Sequence, residues 1–356
     1  MPLGTAMFRP SEFRDLVSGR RRGIGAAAAR MVLRGAEFGY AAAMRWRNYR
    51  FNRGRLPIER VGVPVISVGN VTLGGTGKTP MVEWLARWYR ARGVRVAIVS
   101  RGYGAEQGAA NDEALELEQR LPDVPHVQNR DRVAGAKMAI EEFESQLILL
   151  DDGFQHRRLA RDLDIVLIDA LEPFGFDHVF PRGTLREPLA GLARADIVAL
   201  SRADVVDAAE RETIAHRVRR YAPKAAWLEL THRPRRFVGA GGDEQPLEGL
   251  AGKRIAAFCG IGNAVGFLHT LSSVGANVVA LQEFPDHHAY TRDDVEALGQ
   301  WTKSLAVEAV VCTAKDLVKL RLTQIGCRPL WALAIELDII SGRDALDRRL
   351  AEFVAS

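Results

Sequence analysis

From residue 61 onward, short and nearly unbroken apolar runs alternate with longer stretches whose apolar residues recur every three or four positions. The first pattern predicts strands at 65–68, 94–99, 147–150, 165–168, 197–200 and 227–230. The second predicts helices at 79–92, 130–144 and 208–221. Apolar strands separated by amphipathic helices imply a parallel sheet covered on both faces, an α/β fold. The stretch 232–252 breaks the pattern with Gly, Pro and charge and predicts a boundary. A second block follows, with strands at 255–258, 278–281, 309–312 and 330–335 and helices at 264–274, 293–305 and 316–322. A last helix begins near Ser341, a suitable N-cap.

The first 60 residues differ. They hold thirteen Arg and no Lys against four acidic residues, an excess of nine positive charges. The remainder holds 36 basic and 40 acidic residues, so the net charge of +5 originates wholly in the N-terminal segment. Nucleic acid, an acidic partner or an anionic membrane surface could account for the excess. Residues 24–44 are mostly apolar and helix-prone but are interrupted by Arg30, Arg34 and Glu37. Those charges are too central for a spanning helix, and a cleaner apolar core would be needed for a secretory signal. The segment predicts an amphipathic helix lying in a membrane interface, with the flanking arginines near anionic headgroups. The competing reading is a solvated basic helix packed on the domain. No aromatic-rich single-strand platform or reading-helix motif supports nucleic acid.

Composition changes this picture little. At 47% hydrophobic and 26% charged, the 356 residues suffice for a large core in one or two domains. Three cysteines, Cys259, Cys312 and Cys327, lack C-x-x-C spacing and suit a reducing compartment as buried thiols.

The chemistry concentrates where predicted strands end. After the strand at 65–68 comes Gly69-Asn70-Val71-Thr72-Leu73-Gly74-Gly75-Thr76-Gly77-Lys78-Thr79-Pro80, then a helix. A glycine-rich turn opening into a helix offers free backbone N–H groups to an anion. Gly74, Gly75, Thr76 and Gly77 supply the turn, Lys78 reaches phosphate oxygens, and the Thr79 hydroxyl suits Mg²⁺. The first glycine of the usual phosphate-loop pattern is replaced by Thr72. The strand at 147–150 delivers Asp151-Asp152-Gly153, the arrangement in which a buried strand presents a carboxylate for Mg²⁺ beside such a loop. These features predict a phosphate-loop NTPase-like α/β/α sandwich.

Ser100-Arg101-Gly102-Tyr103-Gly104 places Arg101 and Tyr103 at another strand end. Asn111-Asp112-Glu113 could orient a cation, take a proton from an acceptor hydroxyl, or cap a helix. Asp286-His287-His288 could be an Asp-tuned base or a plain loop, and adjacent histidines do not suit one metal. Ser201-Arg202-Ala203-Asp204 has a faint likeness to a guanine reader, and Thr313-Ala314-Lys315-Asp316 opens a helix in the second block.

Taken in order, GGTGKTP, SRGYG and DDGFQH, with Arg186-Glu187, Gly260-Ile261-Gly262, Asp286-His287 and Lys315-Asp316, resemble the tetraacyldisaccharide 4'-kinase family over most of the chain. The resemblance implies an ATP- and Mg²⁺-dependent kinase that phosphorylates the 4'-hydroxyl of a tetraacylated glucosamine disaccharide 1-phosphate. It also implies a peripheral enzyme on the cytoplasmic face of the inner membrane, without an obligatory protein partner. The implied fold has two α/β/α lobes joined by a two-stranded linker. Here that gives an N-terminal segment 1–60, a nucleotide lobe 61–231, a smaller lobe 250–328 and linkers near 227–249 and 329–340. The helix in 341–356 would return to the first lobe. Implied roles are phosphate and metal binding for Lys78 and Thr79, and a metal-and-phosphate shell of Asp151, Asp152 and Glu187. Asp112 would be the catalytic carboxylate paired with His287, and Arg101, Tyr103 and His156 would contact substrate. The family's Gly-Asp-Glu-Pro is replaced by Asn111-Asp112-Glu113-Ala114. The alternative class is a phosphate-loop GTPase or metallochaperone-type ATPase acting on a protein partner.

Overall fold

The computed structural model describes residues 10–102, 117–118, 120–261, 264–285 and 288–354. Two compact units form: residues 1–101, 129–231 and 339–356 in the first, and 102–128 with 232–338 in the second.

The chain enters through α1 (Pro10–Val17) and a 29-residue helix α2 (Ile24–Asn52). The apolar pattern ends at residue 44, whereas the helix continues through the basic run to Asn52. It stops in a Schellman motif: Gly54, at φ 64°, donates its N–H to Phe51 O, and Arg55 donates to Arg50 O. Among the described residues, no helix is long and apolar enough to cross a membrane.

The first unit then lays down β1 (Val65–Asn70), α3 (Lys78–Arg90), β2 (Val96–Ser100), α4 (Arg132–Phe143), β4 (Leu147–Asp151), β5 (Leu163–Asp169), β6 (Ile197–Ser201), α5 (Ala208–Arg219) and the start of β7 (Ala226–Val238); β3 (His126–Gln128), between β2 and α4 in the chain, falls in the second unit. The strands are parallel in the order β7-β6-β5-β1-β4-β2. Every residue of β1, β2, β4, β5 and β6 is buried, which is why these segments read as unbroken apolar runs. α9 (Arg343–Ala351) packs on α3: Trp88 Nε1 donates to Asp347 at 2.9 Å and Tyr89 Oη to Leu350 O at 2.9 Å, with Leu346 and Leu350 fully buried.

The second unit contains the rest of β7, β8 (Glu244–Pro246), β9 (Arg254–Cys259), α6 (Ala264–Ser273), β10 (Asn277–Glu283), α7 (Arg292–Ser304), β11 (Ala309–Thr313), α8 (Ala314–Leu320), β12 (Gln324–Ile325) and most of β13 (Arg328–Ser341). β10-β9-β11-β13 are parallel, with β12 antiparallel on β13 and β8 antiparallel on β7. The chain passes between the units along β7 and β13. Cys259 and Cys312 are buried in this unit, and burial raises both thiols, Cys259 to about 11. They stay protonated, in keeping with a packing role.

Candidate active site

β1 ends at Asn70, and the chain turns through Gly74 (φ 120°) and Gly77 (φ 82°) into α3. Gly77 is the N-cap, so the first turn of α3 starts at Lys78. Pro80 in that turn removes an N–H that would have no helical partner. Asn70 Nδ2 donates to Gly74 O at 3.3 Å, bridging the loop. A second segment braces it from outside. Leu73 N donates to Thr184 O and Arg186 N to Val71 O, both at 2.7 Å, and Arg186 Nε donates to Thr72 O at 3.1 Å. The buried Asn70 Oδ1 and Thr76 Oγ1 have no hydrogen-bond partner among the described residues.

β4 runs parallel to β1 with Asp151 level with Val68, and Gly153 N donates to Val68 O at 3.1 Å. The approach is too close for side chains. A Cβ on Gly69 would lie 2.5 Å from Phe154 Cβ, and one on Gly153 would lie 2.6 Å from Ser67 Oγ. The turn puts Asp152 at φ 52°. Its carboxylate lies 3.5 Å from Lys78 Nζ and accepts from Arg186 Nη1 at 2.8 Å on each oxygen. Burial alone would raise this carboxyl; Lys78 and Arg186 outweigh it and hold it below the usual range. Two cations thus converge on one carboxylate at the mouth of a helix N-terminus, an arrangement suited to polyphosphate.

Glu187 stands apart from this pair. It is 2% exposed, and both its oxygens are engaged within the fold. Oε1 accepts from Arg194 at 2.7 Å and Gln155 at 3.3 Å, and Oε2 accepts from Asn48 at 2.8 Å. Among the described residues, no three His, Cys, Asp or Glu side chains gather as a metal group. Of the expected shell of Asp151, Asp152 and Glu187, the glutamate is held here by Arg194, Gln155 and Asn48. The Thr79 hydroxyl with the Asp151 and Asp152 carboxylates is a set of hard oxygen donors. It fits Mg²⁺ that takes its remaining ligands from water and phosphate oxygens.

His156 follows four residues after Asp152. Burial, then Arg132, lowers its pKa to about 4, so the imidazole is neutral at physiological pH. Arg132, the first residue of α4, is a further site residue, which the sequence pattern marks only as part of a helix start. It is 7% exposed, and its Nε has no hydrogen-bond partner among the described residues. Burial and then Arg101 lower its pKa, against the opposing charges of Asp152 and Asp151. Arg101 is exposed, next to the end of β2. Gln155 was visible only inside the DDGFQH run; its Nε2 donates to Asn70 O at 2.8 Å, tying the two strand ends together. Tyr103, Asp112 and His287 lie outside the described residues.

In the second unit, Asp316 is fully buried. It accepts from Gly260 N at 3.2 Å, Tyr290 Oη at 2.9 Å and Thr313 Oγ1 at 2.6 Å. The aspartate of the Lys315-Asp316 pair thus locks the loop after β9 to the start of α8. Arg202, at the end of β6, pairs with Asp169 through Nε at 2.9 Å and donates to Gly75 O at 3.4 Å. It braces the phosphate loop.

The parallel sheet, the glycine loop at a helix N-terminus and the aspartates on the neighbouring strand define a phosphate-loop NTPase-like α/β protein. The family model described as tetraacyldisaccharide-1-P 4'-kinase (LpxK) matches residues 29–355. The chain is 40% identical over 349 residues to the tetraacyldisaccharide 4'-kinase of Anaeromyxobacter sp. (strain K), covering 93% of this chain and 92% of the relative. It is 36% identical over 350 residues to that of Chlorobaculum parvum (strain DSM 263 / NCIMB 8327), covering 91% and 94%. A crystal structure of "apo" form LpxK from Aquifex aeolicus in complex with ATP superposes with a TM-score of 0.75 at 28% identity, covering 92% of this chain and 100% of that one. The chain belongs to the tetraacyldisaccharide 4'-kinase family and is a kinase.

Proposed function

We propose that this kinase transfers the γ-phosphate of ATP to the 4'-hydroxyl of tetraacyldisaccharide 1-phosphate, forming lipid IVA for lipid A. The observation that carries the reading is the convergence of Lys78 and Arg186 on Asp152 beside the N-terminus of α3. The family membership supplies the acceptor. Gly74, Gly75, Thr76 and Gly77 present backbone N–H groups to the phosphates, and Lys78 neutralises charge on the transferred group. Arg186 leaves Asp152 for phosphate oxygens when nucleotide arrives, since a guanidinium binds either anion in the same forked way. Thr79, Asp151 and Asp152 would hold Mg²⁺, which supplies charge neutralisation across the phosphates. Glu187 acts from behind, through Gln155 and Arg194. By the family resemblance, Asp112 and His287 together serve the proton of the acceptor hydroxyl, one or the other accepting it. Arg101, Tyr103 and the neutral His156 contact the substrate.

The enzyme works as a peripheral protein on the cytoplasmic face of the inner membrane. The outer face of α2 supports this: Ile24, Met31 and Phe38 are 91%, 75% and 76% exposed, with exposed Arg34 and Arg45 on the same helix. Replacing Lys78 by Ala tests the reading. Transfer falls by about a hundredfold or more while the melting transition is kept. A Lys78→Ala protein with wild-type turnover refutes the loop assignment. Nucleotide hydrolysis that rises with a protein partner, without lipid product, selects the switch-ATPase class instead.

A further inference from the structure

α2 has two working faces. Its outward residues Ile24, Met31, Phe38, Trp46 and Tyr49 are all exposed. Its inward face carries Tyr40, Arg47 and Asn48, seven and eight residues apart and therefore on one side of the helix. Each inward residue bonds to a different group around the candidate phosphate site. Tyr40 Oη donates to the Arg186 carbonyl at 3.0 Å. Arg47 donates to the Gln155 carbonyl. Asn48 Nδ2 donates to Glu187 Oε2 at 2.8 Å.

The three recipients are already connected to the loop. Gln155 reaches Asn70 O and Glu187; Arg186 reaches Val71 O, Thr72 O and Asp152; Asp152 faces Lys78. Gln155 joins the two side chains: its Nε2 donates to Glu187 Oε1 at 3.3 Å and its Oε1 accepts from Arg186 Nη1 at 3.4 Å, so the placement of Glu187 bears on that of Arg186. Arg194 holds Oε1 of Glu187, and among the described residues the Asn48 amide is the hydrogen-bond donor to Oε2, with the charges of Arg47 and Arg157 also acting on Glu187. The Asn48 carbonyl is itself held by Arg157 at 3.1 Å, and Arg157 also donates to Asn52 Oδ1 at 2.7 Å. The end of α2 is thereby clamped at the position where Asn48 acts.

We infer that α2 is a structural wall of the phosphoryl-transfer site as well as the face turned toward lipid, and that Asn48 is a positioning residue that sets Glu187 and, through it, Arg186. This rests on the kinase reading only for its activity readout. Loss of the amide leaves a buried carboxylate oxygen unpaired, and the Arg186–Glu187 segment shifts to find a partner. The chemical step is then affected more than ground-state binding.

The test uses the full chain with Asn48→Ala, Asn48→Gln, Glu187→Ala and the double variant Asn48→Ala/Glu187→Ala. Lipid turnover is measured in detergent micelles, and amide hydrogen exchange is measured on nucleotide-free protein. In Asn48→Ala, kcat falls about tenfold with KM for ATP within about twofold. Vesicle sedimentation remains as in the wild type, melting falls by only a few degrees for the unpaired buried oxygen, and Asn48→Gln recovers part of the rate. The double variant is no slower than Glu187→Ala alone, the non-additivity expected of one unit. Amide exchange across 184–187 quickens in Asn48→Ala without lipid or nucleotide present, so this arm holds even if the acceptor proves different. Unchanged exchange at 184–187, or additive losses in the double variant, overturns the inference. Absence of lipid turnover in the wild type, with quickened exchange in Asn48→Ala, counts against the acceptor assignment and leaves the positioning role intact.

Discussion

Two titrating groups beside the phosphate loop respond to acid in the same direction, for opposite reasons. Asp152 has a lowered pKa because Lys78 and Arg186 outweigh its burial. Its stabilising contribution is present above the unfolded carboxyl pKa and is lost as pH falls through the lower folded value. His156 is lowered from 6.5 to about 4 by burial and nearby arginines. Between those two values the unfolded chain binds a proton that the native state refuses, so stability falls as pH falls. Denaturant midpoints should therefore decline from pH 7 to about 4, and His156→Gln should flatten the upper part of that slope. Parallel curves for wild type and His156→Gln would show that the imidazole is not held neutral. His156 was legible in the sequence as part of DDGFQH, but its burial was not. Asn48 and Arg132 were not legible as site residues at all. Asn48 bonds to Glu187, 139 positions on, and Arg132 acts with Arg101, Asp151 and Asp152 from other strand ends; no local spacing marks an Asn near a helix end or an Arg after an N-cap.

The strands and most helices were legible because burial on both faces makes a parallel strand an unbroken apolar run, as in Leu147-Ile148-Leu149-Leu150. Several elements escaped, among them the short strands β3, β8 and β12, the helix α1 and the end of α2. α1 is only eight residues long and carries Glu12, Arg14 and Asp15. The last two turns of α2 are so rich in Arg that they read as a tail; their helicity is secured by contacts of Arg47, Asn48 and Asn52 with residues over a hundred positions away. Gly69 opens the glycine-rich run, and the sequence alone gives it no role of its own. Its constraint is the crossing of β1 by the chain after β4, where a methyl group would meet Phe154 backbone and Cβ within 2.8 Å. Gly69→Ala should lower unfolding free energy by about 1–3 kcal/mol, measured by urea denaturation, and should weaken nucleotide binding as the loop is displaced. A fully stable Gly69→Ala protein would mean the two strand ends can separate without cost.

At the scale of the molecule, one helix joins surface chemistry to site chemistry. The first 60 residues carry the excess of nine positive charges; α2 exposes an apolar face, and at its end Arg53 and Arg55 lie over the Tyr49 ring at 5.4 and 5.8 Å. Binding to anionic vesicles should weaken with salt, because headgroup attraction is screened within about 10 Å at 0.1 M. Phe38→Glu combined with Trp46→Glu should abolish co-sedimentation at physiological salt, since each aromatic contributes roughly 1.5–3 kcal/mol when buried. Undiminished sedimentation of that variant would place the membrane contact elsewhere.

The most direct test of the central claim is transfer to a defined position. Purified protein, Mg²⁺ and γ-labelled ATP are given tetraacyldisaccharide 1-phosphate in detergent micelles, and the product is fragmented by mass spectrometry. The account predicts one added labelled phosphate, on the sugar distal to the 1-phosphate, with none formed by Lys78→Ala. ATP turnover with unmodified lipid, or label on any other position, would contradict it.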